Sequence, residues 1–202
     1  MSSAAADGRT VMIDFTDACA RTARLLPGVP DERLDAATPC ERLSLAELLA
    51  HVGSLGPAFA AAARKDLGEL TDSPPDDTAY RLDPDWRTRY PEALAALARA
   101  WRDPAAWQGM TRIAGQDLPG DVVAMIALGE VVIHGWDLAV ATGQDYAVDD
   151  EVAAAVHGYV ASFAADGPVE GLFGAAVPVG EDATVLERAL AVSGRDPRWR
   201  AH

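Results

Sequence analysis

Residues 121–142, DVVAMIALGEVVIHGWDLAVAT, restrict the fold of this 202-residue chain more than any other stretch. Pro119-Gly120 and Asp121 give the run a helix start, and Gly143 gives it a stop. Its apolar residues recur almost all the way round. A helix of that kind must be covered on every side. The rest of the chain therefore has to supply the cover.

The sequence predicts that cover as further helices. A first runs from about Ile13 to Leu26, with Phe15, Cys19, Ala23 and Leu26 at helical spacing, and Pro27-Gly28 ends it. A second opens at Ser44-Leu45-Ala46-Glu47, a capping box, and continues to about Leu67, with Pro57 expected to bend or split it. A third spans about Trp86 to Trp101, and a fifth about Asp149 to Ala164. Residues 171–180 look extended, and a short last helix covers about Ala183 to Val192. The acidic, proline-rich stretch 68–85 reads as a solvated connection, and the stretch from Asp103 to Gly120 as a second loop. No alternating pattern is long enough for a sheet. The expected fold is all-α: a four-helix bundle over 1–145, with a small α, or α/β, extension over 146–202 packed on it.

Composition excludes several classes of function. Seventeen Lys+Arg against 31 Asp+Glu leave a formal charge of −14, which repels nucleic acid and anionic membranes. No uncharged run of about 18 apolar residues marks a membrane span, and the N-terminus has no secretion-signal pattern. The expected location is the cytoplasm. Cys19 and Cys40 are expected to be separate thiols. Alanine, roughly a fifth of the chain, favours helix throughout.

The candidate chemistry lies in the same buried run. Glu130 and His134 are four residues apart, and Asp137 is three further on, so all three share one helix face. Three polar groups on an apolar stripe are costly to bury unless something binds them. A divalent metal held by Glu130 and His134 would do so. A third ligand is needed, and His51, mid-helix among leucines, is the candidate. Spacing alone leaves plainer readings open. A pair four apart is often a helix-face hydrogen bond, and an isolated histidine is often a core residue. Cys40 reads as a reactive thiol or as a small buried hydrophobe. Trp107 and Trp136 read as core or interface aromatics.

Three segments carry a resemblance: ATPCERLSLAELLAHVGSL, EVVIHGWDLAVATGQ and LFGAAVPVGEDATVLERALAVSGRDPRW. Together they resemble the DinB-like, mycothiol-dependent maleylpyruvate isomerase superfamily, nearest its metal-binding subfamily. The resemblance spans nearly the whole chain. It implies a DinB-like four-helix bundle with a divalent metal, commonly zinc, at one end. It places the ligands at His51, Glu130 and His134. It implies mycothiol as a thiol cofactor or co-substrate in isomerisation or thiol transfer, with an electrophile of unassigned identity. Asp137 would act beside the bound thiol or water. No arginine can be assigned to a diacid substrate from the sequence.

The leading expectation is therefore a metal-dependent enzyme that activates a small thiol. The alternatives are a DinB-like binding or stress module without turnover, and a zinc hydrolase using metal-bound water. A homodimer through a helix face carrying Trp86, Trp101 and Trp107 is a further expectation.

Overall fold

The computed structural model describes residues 11–74, 80–164, 167–168 and 173–201. The long helices form where caps and apolar stripes coincide. α1 (Thr16–Leu25) starts late because Asp14 Oδ1 accepts the Thr16 amide at 2.8 Å. α2 (Leu45–Arg64) begins at the capping box: the Ser44 amide donates to Glu47 Oε2 at 2.8 Å, and the Glu47 amide donates to Ser44 Oγ at 3.4 Å. It ends three residues before the expected Leu67, because Lys65 turns into the left-handed region at φ 58°. Pro57 does not split it.

α3 (Glu69–Asp72) is a single turn within the stretch read as a connection. Residues 75–79 of that stretch, Asp76 and Asp77 among them, lie outside the described residues. α4 (Trp86–Ala100) packs closely on α2, since a Cβ at Gly53 would sit 2.2 Å from the Tyr90 ring. α5 (Gly120–Thr142) is the nearly all-apolar run. It packs against α1, α2 and α6 (Asp150–Ala164), and most of its residues are buried. α7 (Val185–Val192) starts on a second capping box, Thr184 with Glu187, and packs on α6.

Two expectations need correction. The stretch from Asp103 to Gly120 is not all loop, because β1 (Met110–Ile113) and β2 (Gln116–Pro119) pair as an antiparallel hairpin. Ala114 and Gly115 both take positive φ, 52° and 75°, as the favoured two-residue hairpin turn requires. Ala-Gly replaces the usual Asn-Gly signal there, so the turn was hard to read from sequence. The second correction concerns the tryptophans. Trp86, Trp101 and Trp107 are 3%, 1% and 4% exposed, so they build the core and cannot form a dimer face. Phe15, Trp101 and Trp107 make one aromatic cluster, with the Trp107 indole donating to the Trp101 carbonyl at 2.8 Å. Trp136 is a core residue too.

α2 and α5 are long and apolar enough to cross a membrane by length and composition, although each carries charged residues, Glu47 in α2 and Glu130 and Asp137 in α5. Yet 61% and 78% of their most apolar windows are buried inside the fold, as in core helices. The part of 171–180 that is described, from Phe173, is extended and runs back along α7. There the Val177 amide donates to the Ala191 carbonyl at 2.9 Å. After α7 the chain reverses at Gly194, φ 89°, where a Cβ would meet the Gly174 backbone at 2.6 Å. Only glycine fits, and this turn sends Arg195 back towards α5.

Candidate metal centre

His51 stands on the second turn of α2, and Glu130, His134 and Asp137 stand on α5. Packing α2 on α5 brings His51 to the other two across the bundle. The two imidazoles lie edge to face, with centroids 4.7 Å apart and planes at 90°. Both Nε2 atoms reach the same oxygen, Glu130 Oε2, at 3.2 Å from His51 and 3.1 Å from His134. The ligand atoms of the three residues all lie within 4.8 Å of one another. Atoms about 2.0–2.1 Å from a tetrahedral zinc stand about 3.4 Å apart. The two nitrogen-to-oxygen distances are close to that spacing, and two imidazoles with one carboxylate are a donor set that fits a divalent cation.

The outward nitrogens are held as well. His134 Nδ1 lies 3.0 Å from Asp137 Oδ2, and His51 Nδ1 lies 2.6 Å from the Tyr80 hydroxyl. Asp137 has no exposed side-chain surface, and Arg195 closes its other side, with Nη2 donating to Oδ2 at 3.1 Å and Nε to Oδ1 at 3.3 Å. A continuous chain of polar contacts thus runs Arg195–Asp137–His134–Glu130–His51–Tyr80. Each carboxylate accepts from two neighbours.

The charges follow from that chain. Burial pushes Glu130 up, but hydrogen bonds from His134 and His51 outweigh it and hold the carboxyl well below its ordinary value. Burial works against the charged form of His134, yet hydrogen bonds to Asp137 and Glu130 prevail and raise it to about 9. Burial raises Asp137, and the Arg195 guanidinium with the His134 hydrogen bond overcomes it and keeps the group ionised.

Glu130 is the open member of the set, with 24% of its side chain exposed against 11% for each histidine. It borders a cleft lined also by His134, Tyr159, Phe173 and Arg195. The cleft measures about 20 Å³, space for one water-sized group. Burial and the Glu130 charge keep the Tyr159 phenol protonated there.

Cys40 lies half-buried near the far end of the chain of contacts, and forms a second compact group with His134 and Asp137. Both Asp137 oxygens there already accept from Arg195, so an ion would have to displace a guanidinium. Burial pushes the Cys40 thiol up more than Arg195 pulls it down, which favours the bland reading of this residue. Cys19 is buried and raised to about 12. Both thiols are free.

The structure therefore brings together all four residues singled out in the sequence. His51, Glu130 and His134 share one point, and Asp137 sits behind His134, away from the cleft. Sequence reasoning missed Arg195, Tyr80 and Tyr159. Arg195 had a signal, since it belongs to the terminal GRDPRW element, but nothing local paired it with α5. Tyr80 had none, because it follows the acidic stretch by which α2 is joined to α4.

Two uncharacterized proteins of Mycobacterium tuberculosis are each 29% identical to the chain over 132 residues, 65% of its length. The matched region spans 66% of the length of those relatives. Among solved structures, the crystal structure of the mycothiol-dependent maleylpyruvate isomerase superposes with a TM-score of 0.65 at 19% identity, covering 91% of this chain and 88% of that one. A histidine-to-alanine mutant of that isomerase gives 0.64 at 19% identity, over 90% and 86%. At that identity the likeness establishes the all-α fold. The chain matches the family model of the mycothiol maleylpyruvate isomerase N-terminal domain over residues 15–139, a span that holds His51, Glu130, His134 and Asp137, and it belongs to that family.

Proposed function

We propose that this protein is a metal-dependent enzyme that uses a small thiol, mycothiol in the first instance, to isomerise or transfer to an electrophilic substrate. The observation that carries the reading is the convergence of His51, Glu130 and His134 on one point, with Glu130 open to a cleft. Zinc is the expected ion for two imidazoles and a carboxylate with an open fourth position. Bound there, it would stabilise the thiolate form of the thiol, the nucleophilic form.

The chain's own residues do the rest. Asp137, itself neutralised by Arg195, fixes the His134 ring so that Nε2 faces the site. Asp137 is thus a positioning residue in this reading. The cleft admits only a small group, so in this reading the thiol enters by its sulfur end and its body lies along the opening past Tyr159 and Phe173. The protonated Tyr159 phenol is a hydrogen-bond donor on that path. The Arg195 guanidinium borders the same cleft, with its charge met by Asp137. Family membership and the fold likeness to a mycothiol-dependent isomerase support a thiol-dependent reaction.

The test begins with metal content. Protein purified without a chelating tag is expected to hold near-stoichiometric zinc, and His134→Ala is expected to lose it. Thiol-dependent turnover of maleylpyruvate and of model electrophiles is then compared with mycothiol, glutathione and bacillithiol. Zinc retained in His134→Ala would remove the proposed centre. Ester or amide hydrolysis without any thiol would make the protein a zinc hydrolase instead.

A further inference from the structure

We propose that Tyr80 is a positioning residue of the metal centre whose hydroxyl reverses its hydrogen-bond role, donating to His51 in the metal-free protein and accepting from His51 once a cation is bound. The inference rests on the metal reading above and goes beyond it by assigning a residue outside the ligand set.

The argument starts from Glu130. An ionised carboxylate only accepts, so a ring nitrogen 3.2 Å from Glu130 Oε2 has to carry its hydrogen there. His51 in the metal-free protein therefore holds hydrogen on Nε2. Its Nδ1 is left as an acceptor, 2.6 Å from the Tyr80 hydroxyl, which donates. A cation changes the requirement. Coordination uses the Nε2 lone pair, so the ring hydrogen must move to Nδ1. The same hydroxyl, at the same distance, then accepts through its oxygen. A phenol can serve both states because it is donor and acceptor at once.

His134 is built differently. Its Nδ1 faces Asp137, a group held ionised, which accepts in both states. His134 thus keeps its Nδ1 hydrogen in both states, and His51 is the ring matched to two arrangements. Tyr80 is held for this task by the seam between α2 and α4. Its ring meets His51 edge to face at 5.1 Å. Three residues on, the Asp83 amide donates to the Tyr90 hydroxyl at 3.2 Å, and Tyr90 itself fits against Gly53, two residues after His51.

The experiment uses the full chain and Tyr80→Phe. Zinc affinity is measured by competition with a chromophoric chelator, and histidine tautomers by long-range nitrogen–proton NMR with and without zinc. Wild type is expected to show His51 hydrogenated at Nε2 without metal and at Nδ1 with zinc, the Nδ1 proton protected from exchange. Tyr80→Phe is expected to bind zinc about 10–100-fold more weakly, the usual effect of losing such an outer partner. It should also lose the protected Nδ1 signal while its metal-free unfolding temperature stays close to that of wild type. Affinity within twofold of wild type overturns the positioning role and leaves the metal centre standing, provided His134→Ala has lost zinc. The wild-type NMR is decisive without any variant: the same His51 tautomer in both states overturns the reversal. Wild type that binds no zinc overturns both the centre and the inference.

Discussion

The polar stripe on α5 has two ends that obey one spacing rule and have opposite electrical fates. At the Asp137 end the carboxylate is fully buried and its negative charge meets a fixed guanidinium from Arg195, part of the fold itself. At the Glu130 end the carboxylate is partly exposed, and its charge is met by two imidazoles whose hydrogens can be replaced. The first end is closed and the second exchangeable. A helix face with three polar residues thus tells little about which of them does chemistry. What stands opposite each one decides, and here that is a guanidinium on one side and a cleft on the other.

The largest expected effect comes from opening the closed end. Arg195→Ala leaves the Asp137 charge buried beside a single partner, and breaking a buried pair in this way costs about 3–5 kcal/mol. For a chain of this size that is roughly 2–4 °C per kcal/mol in a thermal melt. Glu130→Gln at the partly exposed, exchangeable end is expected to lower the metal-free melt less than Arg195→Ala does, while zinc affinity falls by more than about 100-fold, beyond the range for outer partners. If the two substitutions were to produce the same melt, the distinction between the ends would be lost.

The next effect is in pH. His134 is raised from 6.5 to about 9 in the folded, metal-free protein. The stability it contributes is then fully present below pH 6.5 and is lost as the pH rises through 9, a change of up to about 3 kcal/mol at 1.36 kcal/mol per unit. Unfolding of chelator-treated protein between pH 6 and pH 10 measures it. Asp137→Asn removes one of the two acceptors that raise His134, so the decline is expected at lower pH in that variant. A flat profile in wild type would mean that the imidazolium between the carboxylates contributes nothing.

The helices were readable because their causes are local. Ser44 with Glu47, and Gly143 after Thr142, mark ends that the structure reproduces. The nearly all-apolar character of 121–142 implies the central helix. His51 is a candidate partner of Glu130 from its apolar setting, and the family resemblance completes the set, since 79 residues separate the two and no periodicity spans that distance. Arg195 and Tyr80 were illegible for a related reason. Each reaches the site through a turn or a segment without helical periodicity, and their partners are set by tertiary packing. The β1–β2 turn failed on chemistry instead: alanine at a positive φ is a poor advertisement for a hairpin.

The smallest expected effect separates the site from the helix that carries half of it. Ser44→Ala removes the N-cap of α2 and is expected to cost about 1 kcal/mol. His51 lies seven residues further along, beyond Leu45, Leu48 and Leu49, all fully buried. Fraying of the first turn should therefore stop at that packed layer. Zinc affinity in Ser44→Ala is expected to stay within twofold of wild type while the melt shifts down by a few degrees. Should affinity fall along with the melt, the exchangeable end would depend on the start of α2 rather than on the core between α2 and α5. The contrast with the Asp137 end would then reflect how each helix is anchored, and the charges opposite the stripe would no longer explain it.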